Sequence, residues 1–315
     1  MVATSRGTGA VRATSVAGCL VLALLLGLTM SGSGAGGPVA GVRLWKGPTD
    51  VDAVVGEHPE LGVLAEQPTF TWIGETTEPR TVGTWARAAG GLPVPLVLYA
   101  IPDRDLGGHS AGGFPDTSAY LAWVGAVAHH LGDAPAVVVV EPDALGLSLQ
   151  MSPPERAARL RVLGRAVDVL KANSPRARVY LDASMWVSPA AMAGLLERAN
   201  VGSADGFSIN VANHVADGPA LEYANAVSAM TGGKRFVVDS SRNGRGSSSH
   251  ERDWCNVGGL ALGRPPGTLL TDEPLLDGFF WIKTPGRSDG TCNGGPPAGQ
   301  FWLRGALELV ANTRS

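Results

Sequence analysis

Five aspartates each follow an apolar run closely enough to share one task. Asp105 comes shortly after Pro95–Ala100, Asp143 after Ala136–Val140, and Asp182 directly after Arg178–Leu181. Asp239 follows Arg235–Val238, and Lys283 and then Asp289 follow Gly278–Ile282. A single Asp in such a place often only caps the next helix. Several on one rim repel each other, so chemistry accounts for them better than chance. Carboxyl groups gathered in one site can divide the work of cleaving a glycosidic bond. One, protonated, donates to the leaving oxygen, while ionised partners help water attack or steady positive charge at the anomeric carbon. The acid needs its pKa raised by burial or by like charges. Asp143 leaves a run of four valines, the most apolar surroundings of any Asp here, and Asp105 and Asp182 can supply the like charge. It is the best candidate acid. Glu141, in the same turn, is either its rival or a paired structural group.

These residues need strands whose ends coincide. Continuous Val/Leu/Ile runs suit strands covered on both faces, as in a parallel sheet, where active sites form at the C-terminal rim. Further strands are expected at Gly206–Ile209 and near Val42–Trp45. Helices fall between them. Ser118–Leu131 carries Leu121, Val124, Val127 and Leu131 and stops at Gly132. Another opens on the capping box Ser152-Pro153-Pro154-Glu155 and continues through Leu160, Leu163, Val167 and Leu170. The alternation predicts an α/β barrel or a doubly wound sheet.

The chain has 315 residues and a formal net charge of −3, which offers no electrostatic case for nucleic acid or an anionic membrane. Arg6 and Arg12 followed by the apolar stretch Val16–Met30 read as a secretory signal over residues 1–35, too short for a comfortable span. Cys19 leaves with it. Cys255 and Cys292 remain, an even pair in an oxidising compartment, for which a disulfide is the default. No metal site is expected, since no partner ligand has suitable spacing and His109, His129, His130, His214 and His250 form no ligand pattern. No linker or repeat divides residues 41–314, which read as one domain. Eight Trp against seven Phe and four Tyr suit either a Trp-rich core or a platform for sugar rings.

The run VVVVEPDALG (Val137–Gly146) resembles the acid motif of glycoside hydrolase family 6, the inverting endoglucanases and cellobiohydrolases. LYAIPDRD (Leu98–Asp105), YLDAS (Tyr180–Ser184), GFSINVANH (Gly206–His214), VVDSSRNGRG (Val237–Gly246), DWCN (Asp253–Asn256) and FFWIKTPGRSDGTC (Phe279–Cys292) are similar to its other signatures, in the same order. The resemblance implies a distorted parallel (β/α) barrel of about seven strands forming a single catalytic domain. It implies Asp143 as general acid, Asp105 as a carboxylate tuning acid and water, Asp182 as support for the acid's pKa, and Asp289 as the proposed base. Tyr99 matches the tyrosine beside the distorted sugar. Trp72, Trp186, Asn210, Arg242, Trp254 and Lys283 look like substrate-binding residues, and Cys255–Cys292 like the family's second disulfide. The implied protein is a secreted endo-β-1,4-glucanase acting on a glucan polysaccharide as a monomer, without a cofactor. With about 280 residues after the signal, little chain remains for tunnel-closing insertions, so an open cleft is expected.

The chain departs from that pattern. Leu106 replaces a Cys, which removes the first disulfide, and Gly74 stands where an Asp is common. The segment between Asp182 and Trp186 is shorter and lacks Gly-His. Arg287 replaces a Glu that contacts sugar hydroxyls, exchanging an acceptor for donors beside Asp289 and lowering that group's pKa if the two approach. These changes motivate a second reading, a catalytically weak glucan-binding relative. A third comes from GHSAG (Gly108–Gly112), which matches the nucleophile elbow of serine esterases at Ser110. That elbow requires a strand straight into the turn and a helix straight out, and Phe114-Pro115-Asp116 interrupts here.

Overall fold

The computed structural model describes residues 41, 43–247 and 254–314. The signal segment with Cys19, and also His250 and Asp253, lie outside the described residues. Seven parallel strands pair in chain order: β1 (Thr71–Ile73), β2 (Val94–Leu98), β3 (Ala136–Val140), β4 (Ala177–Asp182), β5 (Gly206–Ile209), β6 (Arg235–Asp239) and β7 (Leu276–Phe280). The helices are α1 (Gly62–Ala65), α2 (Pro79–Ala88), α3 (Thr117–Leu131), α4 (Ala144–Leu147), α5 (Pro153–Asn173), α6 (Pro189–Arg198), α7 (Asp217–Met230) and α8 (Leu303–Arg314).

The sheet curls into a partly open barrel because both of its faces are apolar. Val137 and Val139 of β3 join Val97, Tyr180, Val237 and Phe280 inside, while Val138 and Val140 face the helices with Leu98, Leu181 and Phe207. The valine run is therefore unbroken because alternate residues fill two different cores. Register carries the inner layer around: Trp72 pairs with Val97, Val97 with Val139, and Val139 with Tyr180. β1 and β7 end the sheet without a ladder between them. Their seam is held by Phe70 N–H to Trp281 O (3.1 Å), Trp72 Nε1–H to Ile282 O (2.8 Å) and Thr284 Oγ1–H to Phe70 O (3.3 Å).

The parallel seven-strand barrel agrees with expectation, but its first strand lies elsewhere. Arg43–Trp45 is irregular, and Val42 lies outside the described residues. Leu44 plugs the barrel interior, and Trp45 N–H makes one bond to Pro93 O (2.9 Å). The edge of β2 is already taken by Thr71–Ile73. The expected helices are present. α3 opens on Asp116, whose carboxylate accepts Ala119 N–H (2.8 Å), and α5 on the reciprocal Ser152/Glu155 box.

Candidate active site

Strand alternation delivers side chains to the rim. Val97 faces inward, so Tyr99 does too, and the same step of two carries Tyr180 to Asp182, Val237 to Asp239 and Phe70 to Trp72. Beyond the strand ends the backbone turns sharply. Asp103, Asp105, Leu106, Glu141, Asp143, Asn210, Ala212 and Asn256 all have φ between 43° and 69°. Left-handed backbone costs non-glycine residues about 1 kcal/mol or more each, and such strain clusters where side chains are aimed for function. Gly113, at φ 97°, serves the same loop differently: an added Cβ would sit 2.0 Å from Ile101 O.

One wall of the rim is anionic and has no cation bonded to it. Asp143 N–H donates to Asp182 Oδ2 (2.9 Å), and Ser208 Oγ–H donates to Asp182 Oδ1 (3.2 Å). Burial, and then the charges of Asp182 and Asp105, push Asp143 well above the usual carboxylate range, with Lys283 pulling weakly the other way. Burial raises Asp182 to about 7 against its two hydrogen bonds. Such a pair surrenders its protons in two steps, so it holds at least one at neutral pH. Asp105 enters on its own loop and accepts Ser110 N–H (2.7 Å).

The opposite wall is a carboxylate caged by cations. Asp289 accepts Arg242 Nη1–H (2.6 Å) and Asn256 N–H (2.9 Å) on Oδ2, and Lys283 Nζ lies 3.0 Å from Oδ1. Its side chain is 2% exposed. Burial works against ionisation, yet the Arg242 and Lys283 charges overcome it and hold Asp289 well below the usual range. Arg287 is not part of this cage. Its guanidinium turns away to Asp50 (2.8 Å), which corrects the expectation that it depresses Asp289.

Between the walls lies a cavity of about 420 Å³ lined by Asp105, Asp143 and Asp289 together with Trp72, Tyr99, Trp186, Trp254 and Lys283. A second space of about 490 Å³ continues past the shared Trp72, Tyr99 and Lys283 toward Arg287. Trp186 and Trp254 are 38% and 40% exposed, with ring faces available to a ligand, while Trp72 stands edge-on to Tyr99 at 5.1 Å.

Three expected site residues lie behind this surface. Asp182 and Arg242 touch Asp143 and Asp289 rather than the cavity. Asn210, expected to bind substrate, is buried with its amide spent on Val215 N–H and O and on Asp239 O. It holds a turn instead. Asp239 is likewise a backbone clamp, accepting N–H groups of Ala212, Ser241, Ile282 and Lys283. Glu141 faces the helices and accepts Ala100 and Ile101 N–H (3.0 to 3.1 Å), which removes it as a rival acid. Ser110 sits in a turn with neither strand nor helix beside it, so no nucleophile elbow exists. Leu147, Ala212 and Asn213 on the cavity wall, and Asn256 behind Asp289, had no sequence signal.

Cys255 and Cys292 are bonded, closing a separation of 37 residues, and a loop of that length stabilises by about 4 kcal/mol through chain entropy. His109 approaches both sulfurs, within 4.8 Å, but thiolate ligation is closed to them. Among the described residues no helix is long and apolar enough to cross a membrane.

The sequence profile of glycosyl hydrolases family 6 matches residues 53–313. The chain belongs to glycosyl hydrolase family 6. Within that family it is 38% identical over 283 residues to endoglucanase A of Cellulomonas fimi, covering 87% of this chain and 60% of that protein. It is 40% identical to endoglucanase 1 of Streptomyces sp. strain KSM-9, covering 86% of this chain and 76% of that one. The chain thus spans under two thirds of the Cellulomonas relative and about three quarters of the Streptomyces one. The endoglucanase Cel6 of Mycobacterium tuberculosis, solved in complex with methyl-cellobiosyl-4-deoxy-4-thio-β-D-cellobioside, superposes with a TM-score of 0.82 at 39% identity. That match covers 88% of this chain and 99% of the other.

Proposed function

We propose that the protein is an endo-β-1,4-glucanase that cleaves glucan with inversion at the anomeric carbon. The observation that carries this reading is the division of the cleft into a wall that holds a proton and a wall that is held ionised, with tryptophan faces alongside. Asp143 donates its proton to the leaving glycosidic oxygen, and Asp182 and Asp105 keep that proton bound until it is needed. Asp289, ionised across the working range, faces positive charge developing at the anomeric carbon and orients the water entering from the opposite side. Its weak proton affinity suits the electrostatic part of that task, with the water's proton passing onward. Trp186 and Trp254 offer stacking surfaces for pyranose rings, Trp72 and Tyr99 flank the reacting sugar, and Lys283 adds a donor.

Internal cleavage is supported by the endoglucanase relatives and by near-complete coverage of the Mycobacterium chain, which leaves little length for additional closing loops. Residues 1–35 act as a secretory signal and residues 41–314 as the catalytic domain, a monomer whose cleft draws every described lining residue from one chain. The reading as a weak glucan-binding relative loses its main motive, since Arg287 is engaged by Asp50 and leaves the carboxylate arrangement alone. The test is hydrolysis of barley β-glucan and carboxymethylcellulose by wild type and Asp143→Ala, with anomer detection by NMR. Wild-type turnover with inverted product, lost in the variant, is expected. Retained configuration, or equal negligible rates with binding intact, would overturn the reading.

A further inference from the structure

Asn256 makes more contacts with the Asp289 loop than any role in loop closure requires. Its backbone N–H donates to Asp289 Oδ2 (2.9 Å), and Asp289 N–H donates back to its Oδ1 (2.9 Å). Its Nδ2 donates to Ser288 Oγ (3.1 Å), Gly290 O (2.7 Å) and Cys292 O (3.0 Å). One residue therefore grips both the main chain and the carboxylate of Asp289, together with the residues on either side. The fit is close: a Cβ on Gly295 would lie 2.1 Å from Asn256 Nδ2. Asn256 itself sits at φ 50°, a conformation asparagine tolerates better than most residues.

Its place in the chain matters equally. Trp254, Cys255 and Asn256 are consecutive: the first lines the cleft, the second is bonded to Cys292, and the third holds Asp289. We propose that Asn256 is a positioning residue that sets the orientation of the Asp289 carboxylate and ties it to the Trp254 wall of the cleft. With Arg242 and Asn256 N–H both on Oδ2 and Lys283 on Oδ1, the carboxylate plane is set by donors from three segments. Arg242 and Lys283 are the charged groups bonded to it, and Asp143 is the acidic group it faces across the cleft. The cations supply charge, whereas Asn256 supplies direction, because it alone also holds the Asp289 backbone.

This inference rests on the functional reading of Asp289, and a double-mutant cycle separates the two. Asn256→Gly keeps the backbone conformation and N–H and deletes the amide. On a soluble cello-oligosaccharide it is expected to lower kcat by about 10²-fold with KM within about twofold, the scale of a misplaced group. In an Asp289→Asn background the same change is expected to lower kcat by no more than about twofold, since the group it positions is gone. Asn256→Asp, which keeps shape and Oδ1 but replaces the donor, is run in the same cycle and covers any failure of the glycine variant to fold. It is expected to show the same collapse of effect. Multiplicative losses in both backgrounds would show a merely structural role and overturn the proposal. Unchanged kcat in Asn256→Gly would also overturn it. Unchanged turnover in Asp289→Asn alone would instead defeat the functional reading of Asp289.

Discussion

The two walls of the cleft use the same residue type to opposite ends. Asp143 and Asp289 are both aspartates just beyond strand ends, and both lose solvent on folding. Around Asp143 the nearest charges are Asp182 and Asp105, so burial and repulsion act together and the proton stays. Around Asp289 the nearest are Arg242 and Lys283, so attraction overrides burial and the proton leaves. Desolvation alone would make both neutral. The neighbours decide, and they do so through residues that do not line the cavity.

Deleting each wall's character tests that contrast. Asp143→Asn keeps shape and removes the proton, and kcat on a soluble cello-oligosaccharide is expected to fall by about 10³-fold. Arg242→Met strips one cation from a fully buried pair, and urea unfolding should show a loss of about 3 kcal/mol. The sign with pH follows from the cage. Asp289's folded pKa lies below its ordinary 3.8, so its contribution is present above about pH 4 and fades as pH falls toward the folded value. The variant should therefore show a shallower acid decline in stability than wild type.

Asp182→Asn removes like charge from the proton-holding wall. Asp143 then gives up its proton more easily, and the alkaline limb of the kcat profile should move to lower pH by about one unit. Trp254→Ala leaves both walls charged as before and removes a stacking face. KM for longer oligosaccharides should rise about tenfold, equivalent to ~1.4 kcal/mol. Arg287→Glu should do least. Its pair with Asp50 is about one third exposed on each side, so the change in thermal stability should correspond to less than about 1 kcal/mol. A large shift of the acid limb in that variant would mean that Arg287 reaches Asp289 after all.

How much of this was legible follows from what leaves a periodic trace. β2 to β7 carry apolar runs because each fills an inner and an outer core, so they could be read directly. β1 has three residues and no run, whereas Leu44 and Trp45 are apolar because one plugs the barrel and the other packs outside it. The carboxylates were legible because strand ends are, and a step of two residues carries an inward side chain to the rim. Their protonation was only half legible. Asp143's anionic neighbours follow strands, but Arg242 and Asn256 reach Asp289 from loops whose paths no spacing reveals. Asn210 and Arg287 show the same limit from the other side, since chain position placed them near the cleft and hydrogen bonds turned them away.

The contrast between the walls can be observed without turnover. Carboxyl carbons of Asp143 and Asp289, assigned by ¹³C NMR with Asp143→Asn and Asp289→Asn, would be titrated in the wild-type protein. The account predicts that Asp143 stays protonated well above the ordinary aspartate range, while Asp289 remains ionised well below it. Two carboxyls titrating together near 4 would contradict it.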